Sequence, residues 1–303
     1  MQTPNSQESQ EFRSGHIVLL GRPNVGKSTL FNALVGERIS IVTEKPQTTR
    51  QNVLGIVTTD KSQMLFLDTP GLLDPRYRLQ EIMRRHIEEA LDDADVLLGI
   101  LDAKEFESSF DDEVKKVFKN AKGSTIVALN KTDLVNADQV EQHLNGIRAE
   151  LPDHKILPIS GLWGSNLLEL RSLLEANLPV GPKFYPEDMM TEQPERFFVA
   201  ELVREEIFCQ LRQEVPYAIA VTVEQFKEDR EKVYIQSEII VERSSQKGIV
   251  IGSRGKTLKS IGQSARKKIE AFLNRPVYLD LHVKVLENWR KKDYALRGFG
   301  YLS

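Results

Sequence analysis

A chain of 303 residues, 40% hydrophobic and 28% charged, has the composition of a globular protein and the length for two domains with separate cores. Its single cysteine excludes an internal disulfide and suits a reducing cytoplasm, and no apolar run approaches the roughly 20 residues that cross a bilayer. The formal charge of −3 is uneven: from Arg243 to Lys292, 13 Lys/Arg face 3 Asp/Glu, about +10, which leaves about −13 elsewhere. That asymmetry points the C-terminal part toward a polyanion.

Residues 1–13 read as a disordered leader without the apolar core of a signal peptide. Apolar strands are then predicted at His16–Leu20, Val53–Thr59, Met64–Leu67, Val96–Leu101, Thr125–Leu129 and Lys155–Ile159. Amphipathic helices are predicted at Lys27–Val35, Leu79–Leu91, Asp111–Asn120, Ala137–Glu150 and Leu167–Glu175. The alternation makes residues 14–180 an α/β domain, a mostly parallel sheet with helices on both faces. Ligands bind such sheets at the carboxyl ends of the strands, where the motifs of this chain fall.

Gly21-Arg22-Pro23-Asn24-Val25-Gly26-Lys27-Ser28, followed by Thr29, stands between a strand and a helix and reads as a phosphate-binding loop, the P-loop. Its glycines let backbone N–H groups converge on phosphate, Lys27 neutralises the β- and γ-phosphates, and the Ser28 hydroxyl ligates Mg²⁺. Asp68-Thr69-Pro70-Gly71-Leu72 places a carboxylate for Mg²⁺ at a strand end and offers the Gly71 N–H to the γ-phosphate. Within Gln47-Thr48-Thr49-Arg50, Thr49, or failing that Thr48, completes the Mg²⁺ shell in the triphosphate state.

Asn130-Lys131-Thr132-Asp133 selects guanine: Asp133 accepts from N1–H and the N2 amine, Asn130 serves O6 and N7, and the Lys131 stem covers the base. Adenine would leave those acceptors unpaired. A backbone N–H from Ser160-Gly161-Leu162 adds a donor for O6. Leu72 stands where many small GTPases carry a water-orienting glutamine, so slow hydrolysis is expected, with Lys27, Asn24, Thr49 and Gly71 as the catalytic set. Asn24 would coordinate a monovalent cation such as K⁺.

Residues 181–194 are rich in proline and acid and read as an ordered linker. Residues 195–303 change rhythm: a helix Glu195–Leu211, strands Tyr217–Phe226 and Lys232–Val241, a turn at Gly252–Gly255, a basic helix to Leu273 and a strand Val277–Val285. This is a smaller α+β domain with a three-stranded sheet. Cys209 falls in an apolar helical stretch and is expected in the core. Ile251-Gly252-Ser253-Arg254-Gly255-Lys256 forms a Gly-x-x-Gly loop that an RNA backbone can approach closely, with Lys259, Arg266, Lys267 and Lys268 further along the helix. Ile249, Val250, Ile251, Leu258 and Ile261 are expected to wall a groove for unstacked bases. Trp289, Phe299, Tyr301 and Tyr294 are expected to pack back on this domain.

These stretches, with Pro46-Gln-Thr-Thr-Arg50 and the closing Ala295-Leu-Arg-Gly-Phe-Gly-Tyr301, closely resemble the Era family of bacterial GTPases from about Ser14 to Leu302. The resemblance implies a GTPase domain followed by a type II KH domain. It also implies a Mg²⁺-dependent GTP/GDP switch that binds the 3′ end of 16S ribosomal RNA and acts in 16S processing and small-subunit assembly. A cytoplasmic monomer, with peripheral association at the inner face of the cell membrane, is the matching expectation. Gly161 departs from the family's usual alanine, which leaves its backbone N–H unchanged. The competing readings are a switch whose basic domain binds a protein or membrane surface, and a nucleotide hydrolase without a stable partner.

Overall fold

The computed structural model describes residues 11–229 and 231–302. Residues 1–10 of the expected leader therefore lie outside the described residues, and Arg13 already belongs to a strand. The elements run β1 (Arg13–Leu20), α1 (Lys27–Val35), β2 (Val53–Thr58), β3 (Ser62–Asp68), α2 (Arg78–Asp92) and β4 (Val96–Asp102). They continue α3 (Phe106–Ser109), α4 (Asp112–Lys119), β5 (Ser124–Asn130), α5 (Ala137–Glu150), β6 (Lys155–Pro158) and α6 (Leu167–Asn177). Then come α7 (Glu195–Gln210), β7 (Ala220–Glu228), β8 (Val233–Val241), α8 (Ser244–Ile251), α9 (Lys256–Leu273), β9 (Val277–Val285) and α10 (Asp293–Gly298).

The first sheet has the order β2-β3-β1-β4-β5-β6, with β2 antiparallel to β3 and every other pairing parallel. Its central strands are apolar runs because both faces are covered; every residue of β4 is buried. In α1 the buried Lys27, Leu30, Phe31 and Leu34 recur at helical spacing and turn one side to the protein interior. α5 is capped by Asn136, whose side chain accepts from the Gln139 N–H at 2.8 Å in a capping box. The expected linker is ordered against this sheet: the Ile56 N–H donates to the Met190 carbonyl at 2.8 Å, and the Gln63 carboxamide joins the backbone of Phe184 and Tyr185.

The second sheet, β7-β8-β9, pairs β7 and β8 antiparallel and β8 and β9 parallel. Val199, Val203 and Ile207 of α7 and Ile261, Ala265 and Ile269 of α9 bury their apolar side in a common core with Ile235 and Ile239 of β8. Four expectations need correction here. Cys209 is exposed, because it lies on the opposite side of α7 from Val203 and Ile207. Val250 and Ile261 are fully buried in the core and wall no groove, whereas Ile249 is exposed. Lys268 is held by Glu205 at 2.7 Å and Glu206 at 2.5 Å, so it adds no free charge. Trp289 and Tyr301 do pack inward, but Tyr294 is exposed.

The chain forms two compact units that do not follow sequence order. One holds residues up to Arg38, Asn52–Thr69 and Glu88–Glu192; the other holds Ile39–Gln51, Pro70–Ile87 and Gln193 onward. Both loops expected to respond to γ-phosphate thus belong to the unit that carries the second sheet. The causes are specific. Arg50 is buried among the carbonyls of Ile219 and Tyr217 and the rings of Trp289 and Tyr301. Lys45 donates to the carbonyls of Phe208 and Leu211 at the end of α7. Leu79, Ile82 and Met83 of α2 share a core with Ile240, Trp289 and Leu296.

Candidate nucleotide site and nucleic-acid face

The P-loop leaves β1 at Leu20 and enters α1 through Gly26, which has φ +98°. A Cβ at Gly26 would stand 2.4 Å from the Asn130 amide nitrogen, so both the backbone angle and the space demand glycine. Lys27 is buried, and its ammonium folds back on the carbonyls of Gly21 at 3.2 Å and Arg22 at 2.9 Å. Burial lowers its pKa to about 8, with Asp68 opposing the shift and Lys131 adding to it. A polyphosphate at this loop would supply negative charge that favours the protonated ammonium. Arg22 is turned aside into ion pairs with Asp111 and Glu113 at the start of α4.

Ser28 and Asp68, from α1 and the end of β3, meet: the hydroxyl donates to the carboxylate at 2.7 Å. A buried carboxylate beside a hydroxyl is a hard-oxygen pair that fits Mg²⁺ shared with phosphates. No group of three or more His, Cys, Asp or Glu among the described residues could hold a metal without such help. Thr69 is a structural residue, its hydroxyl donating to the Leu19 carbonyl at 2.7 Å. Thr48, Thr49, Pro70, Gly71 and Leu72 lie in the second unit. The Thr48 hydroxyl is used within its own loop, on Thr43 at 2.7 Å and the Lys45 carbonyl at 2.8 Å. Leu72 is buried and apolar, as the sequence requires.

On the guanine side, Asn130 is a clamp. Its Nδ2 donates to the Val25 carbonyl and its Oδ1 accepts from the Gly161 N–H, both at 2.9 Å. The amide therefore ties the P-loop, β5 and the loop after β6 together, and its second Nδ2 hydrogen is the donor left for a base. The Gly161 N–H, expected on guanine O6, is spent on Asn130, which leaves that of Leu162. The Lys131 ammonium reaches the Asn24 carbonyl and the buried Asp102 carboxylate, each at 2.6 Å, and so stretches its stem along the site. Thr132 donates to the Ile159 carbonyl at 2.9 Å, and Asp133 is exposed with no ion-pair partner among the described residues. Asp102 had no motif to announce it; its only signal was its place at the carboxyl end of β4.

In the second unit, Gly252 has φ +71°, and a Cβ there would lie 2.0 Å from the Thr257 hydroxyl. Gly255 has φ +76° with open space around it. Ser253 and Arg254 are exposed between them, and Lys256 opens α9. Lys256, Lys259 and Arg266 recur at helical spacing and are exposed, with Lys267 beside them; Ile251 is half-buried at the edge.

A family model described as 50S ribosome-binding GTPase matches residues 16–131, and a KH domain model matches residues 214–290. Among solved structures, one of Era in complex with MgGDPNP and nucleotides 1506–1542 of 16S ribosomal RNA is 38% identical. It covers 96% of this chain and 100% of its own, with a TM-score of 0.92. A variant of Aquifex aeolicus Era bound to GDP and aluminium fluoride matches with the same identity, coverage and TM-score.

Proposed function

This chain belongs to the Era family, and from that membership we propose that it is a GTP-hydrolysing switch whose KH unit binds the 3′ end of 16S ribosomal RNA during small-subunit assembly. GTP is held by the P-loop N–H groups and Lys27, and guanine is chosen by Asp133 within the frame that Asn130 clamps. Ser28 and Asp68 would hold Mg²⁺, joined by Thr49 in the triphosphate state, and the ion would supply positive charge to the β- and γ-phosphates. Leu72 can neither orient water nor accept its proton, so basal hydrolysis is slow. Asn24 is the residue for a K⁺ ion that would assist, and equal rates in K⁺ and Na⁺ would remove it from that role. RNA meets the Gly252–Gly255 turn and the Lys256, Lys259 and Arg266 face, where close backbone approach and positive charge coincide.

One observation carries the coupling of the two events. The loop bearing Thr49 and the segment after Gly71 are built into the KH unit's own core through Arg50, Lys45, Leu79 and Met83. A γ-phosphate that pulls on Thr49 or Gly71 pulls on the body that binds RNA, and reciprocity makes RNA alter GTP affinity by the same factor. The test is RNA affinity measured with GDP and with a non-hydrolysable GTP analogue; identical values would end the coupling. A basic domain serving a protein or membrane instead would keep its RNA affinity low and indifferent to Gly252→Asp. Monomeric state and peripheral association with the cytoplasmic face of the membrane complete the proposal. No helix among the described residues is long and apolar enough to cross a membrane.

A further inference from the structure

A pocket of about 330 Å³ opens wholly within the second unit, and none of its lining residues belongs to the GTP set or to the Gly252–Gly255 turn. Gln47 lines it from the loop that carries Thr49, Arg76 and Tyr77 from the approach to α2, and Tyr217, Arg243 and Arg290 from the KH fold. Three guanidinium groups thus face two carboxylates, Glu214 and Glu242. Glu242 is committed to Arg290 at 2.5 Å, and Arg290 in turn lies 4.7 Å over the Tyr77 ring. Arg76 and Arg243 are exposed and have no ion-pair partner among the described residues. The pocket therefore keeps a positive surplus for an anion.

Its other groups are equally specific. Gln47 is held at φ +61°, an uncommon angle for a residue with a side chain. Its Oε1 accepts from the Gln80 Nε2 at 3.2 Å, while the Gln80 Oε1 accepts from the Arg76 N–H at 2.8 Å. That chain of bonds leaves the Gln47 –NH₂ with both hydrogens unspent among the described residues. Guanidinium forks match phosphate oxygens, tyrosine rings give flat apolar walls, and a carboxamide reads the edge of a base. The volume suits one small ligand.

We propose that this pocket binds a single nucleoside phosphate, its phosphate on Arg76 and Arg243 and its base beside Tyr217 and Gln47. The ligand is either a free nucleotide or one residue of a bound RNA strand. Occupancy is felt two residues from Thr49, so the site reports on the same loop that senses γ-phosphate. The assignment stands independently of the Gly252–Gly255 turn.

The test uses full-length protein saturated with GDP and Mg²⁺, so that the guanine site is filled. Adenosine and cytidine 5′-monophosphates are titrated by calorimetry, and a single-stranded RNA containing 4-thiouridine is photo-crosslinked and the attached peptides identified. A free-nucleotide site gives one-to-one monophosphate binding, weakened at least about tenfold by R76A/R243A, with RNA affinity unchanged. An RNA site gives no monophosphate binding, crosslinks within 76–80 or 214–218, and an RNA affinity about tenfold lower in R76A/R243A, additive with Gly252→Asp. The wild-type crosslinks decide the matter even if the double variant melts early. Absence of monophosphate binding together with crosslinks confined to 249–267, or a folded double variant that binds both probes like the wild type, overturns the proposal.

Discussion

The Arg50 guanidinium donates to the Ile219 carbonyl at 2.5 Å, with the arginine only 4% exposed. A residue adjacent to the proposed Mg²⁺ ligand is thus a core member of the KH unit. Arg50→Ala leaves the carbonyls of Tyr217 and Ile219 without their donor and removes the cation over Trp289 and Tyr301. The expected loss is about 2–4 kcal/mol of stability, read by denaturant unfolding. Arg50→Lys keeps a charge but cannot fork across two carbonyls, and should recover only part of it. Either variant should also shrink the difference in RNA affinity between the GDP and GTP states; an unchanged difference would show that Arg50 does not transmit it.

Lys27 gives a pH dependence with a definite sign. Its pKa is about 8 without nucleotide, below the ordinary 10.5, because burial disfavours the charged form. Phosphates restore the charge, so binding at pH 9 takes up a proton, and GDP affinity falls by up to about tenfold per pH unit above 8. The unfolded chain holds this proton more tightly than the folded one. Nucleotide-free stability from this group therefore rises with pH between 8 and 10.5 and is flat below 8. Calorimetry of GDP binding in buffers of different ionisation enthalpy measures the uptake, and zero uptake at pH 9 contradicts it.

Asp133 has no ion-pair partner among the described residues, so its carboxylate is available to the base. Asp133→Asn turns one acceptor into a donor and should exchange guanine for xanthine preference, since xanthine offers a carbonyl where guanine has its amine. Asn130→Ala acts differently: it unties Val25 from Gly161 and should weaken all guanine nucleotides by about 50- to 100-fold. Competition binding with GDP and XDP separates the two behaviours.

The two glycines of the Gly-x-x-Gly turn are unequal. At Gly255 an alanine meets only the penalty of φ +76°, about 1 kcal/mol. At Gly252 the same methyl group adds a clash with Thr257 and must displace the start of α9. Gly252→Ala should lower both melting temperature and RNA affinity more than Gly255→Ala. Equal effects on melting would mean that Thr257 yields freely.

Lys259 and Arg266 are exposed on the same side of α9. If each meets a phosphate of a single strand, the K259A/R266A variant flattens the slope of log affinity against log salt by about 1.4. Filter binding at several salt concentrations gives the slope directly. Lys268→Ala should leave it unchanged, because that ammonium is already neutralised by Glu205 and Glu206.

Local chemistry made much of this legible in the chain itself. The amphipathic pattern placed α5 at Ala137–Glu150, and the P-loop followed from the spacing of Gly21, Gly26, Lys27 and Ser28 between a strand and a helix. The spacing of Asn130 and Asp133 named a purine. The double role of Asn130 could not be read in this way, since its partners Val25 and Gly161 are remote in sequence. Cys209 was misplaced because α7 is apolar on more than one side, and periodicity alone could not say which side faced the sheet.

The amino-acid order by itself determined which nucleotide is chosen and which elements exist, because capping, turns and hydrogen-bond complementarity act over a few residues. Tertiary structure alone decided that Arg50 and Lys45 root the loop of Thr49 among KH carbonyls, and that Lys268 is silent while Lys259 is free. Those outcomes depend on burial and on partners more than 60 positions away, such as Glu205 for Lys268 and Ile219 for Arg50. A one-dimensional pattern carries no information about which distant side chain will be there to meet a charge.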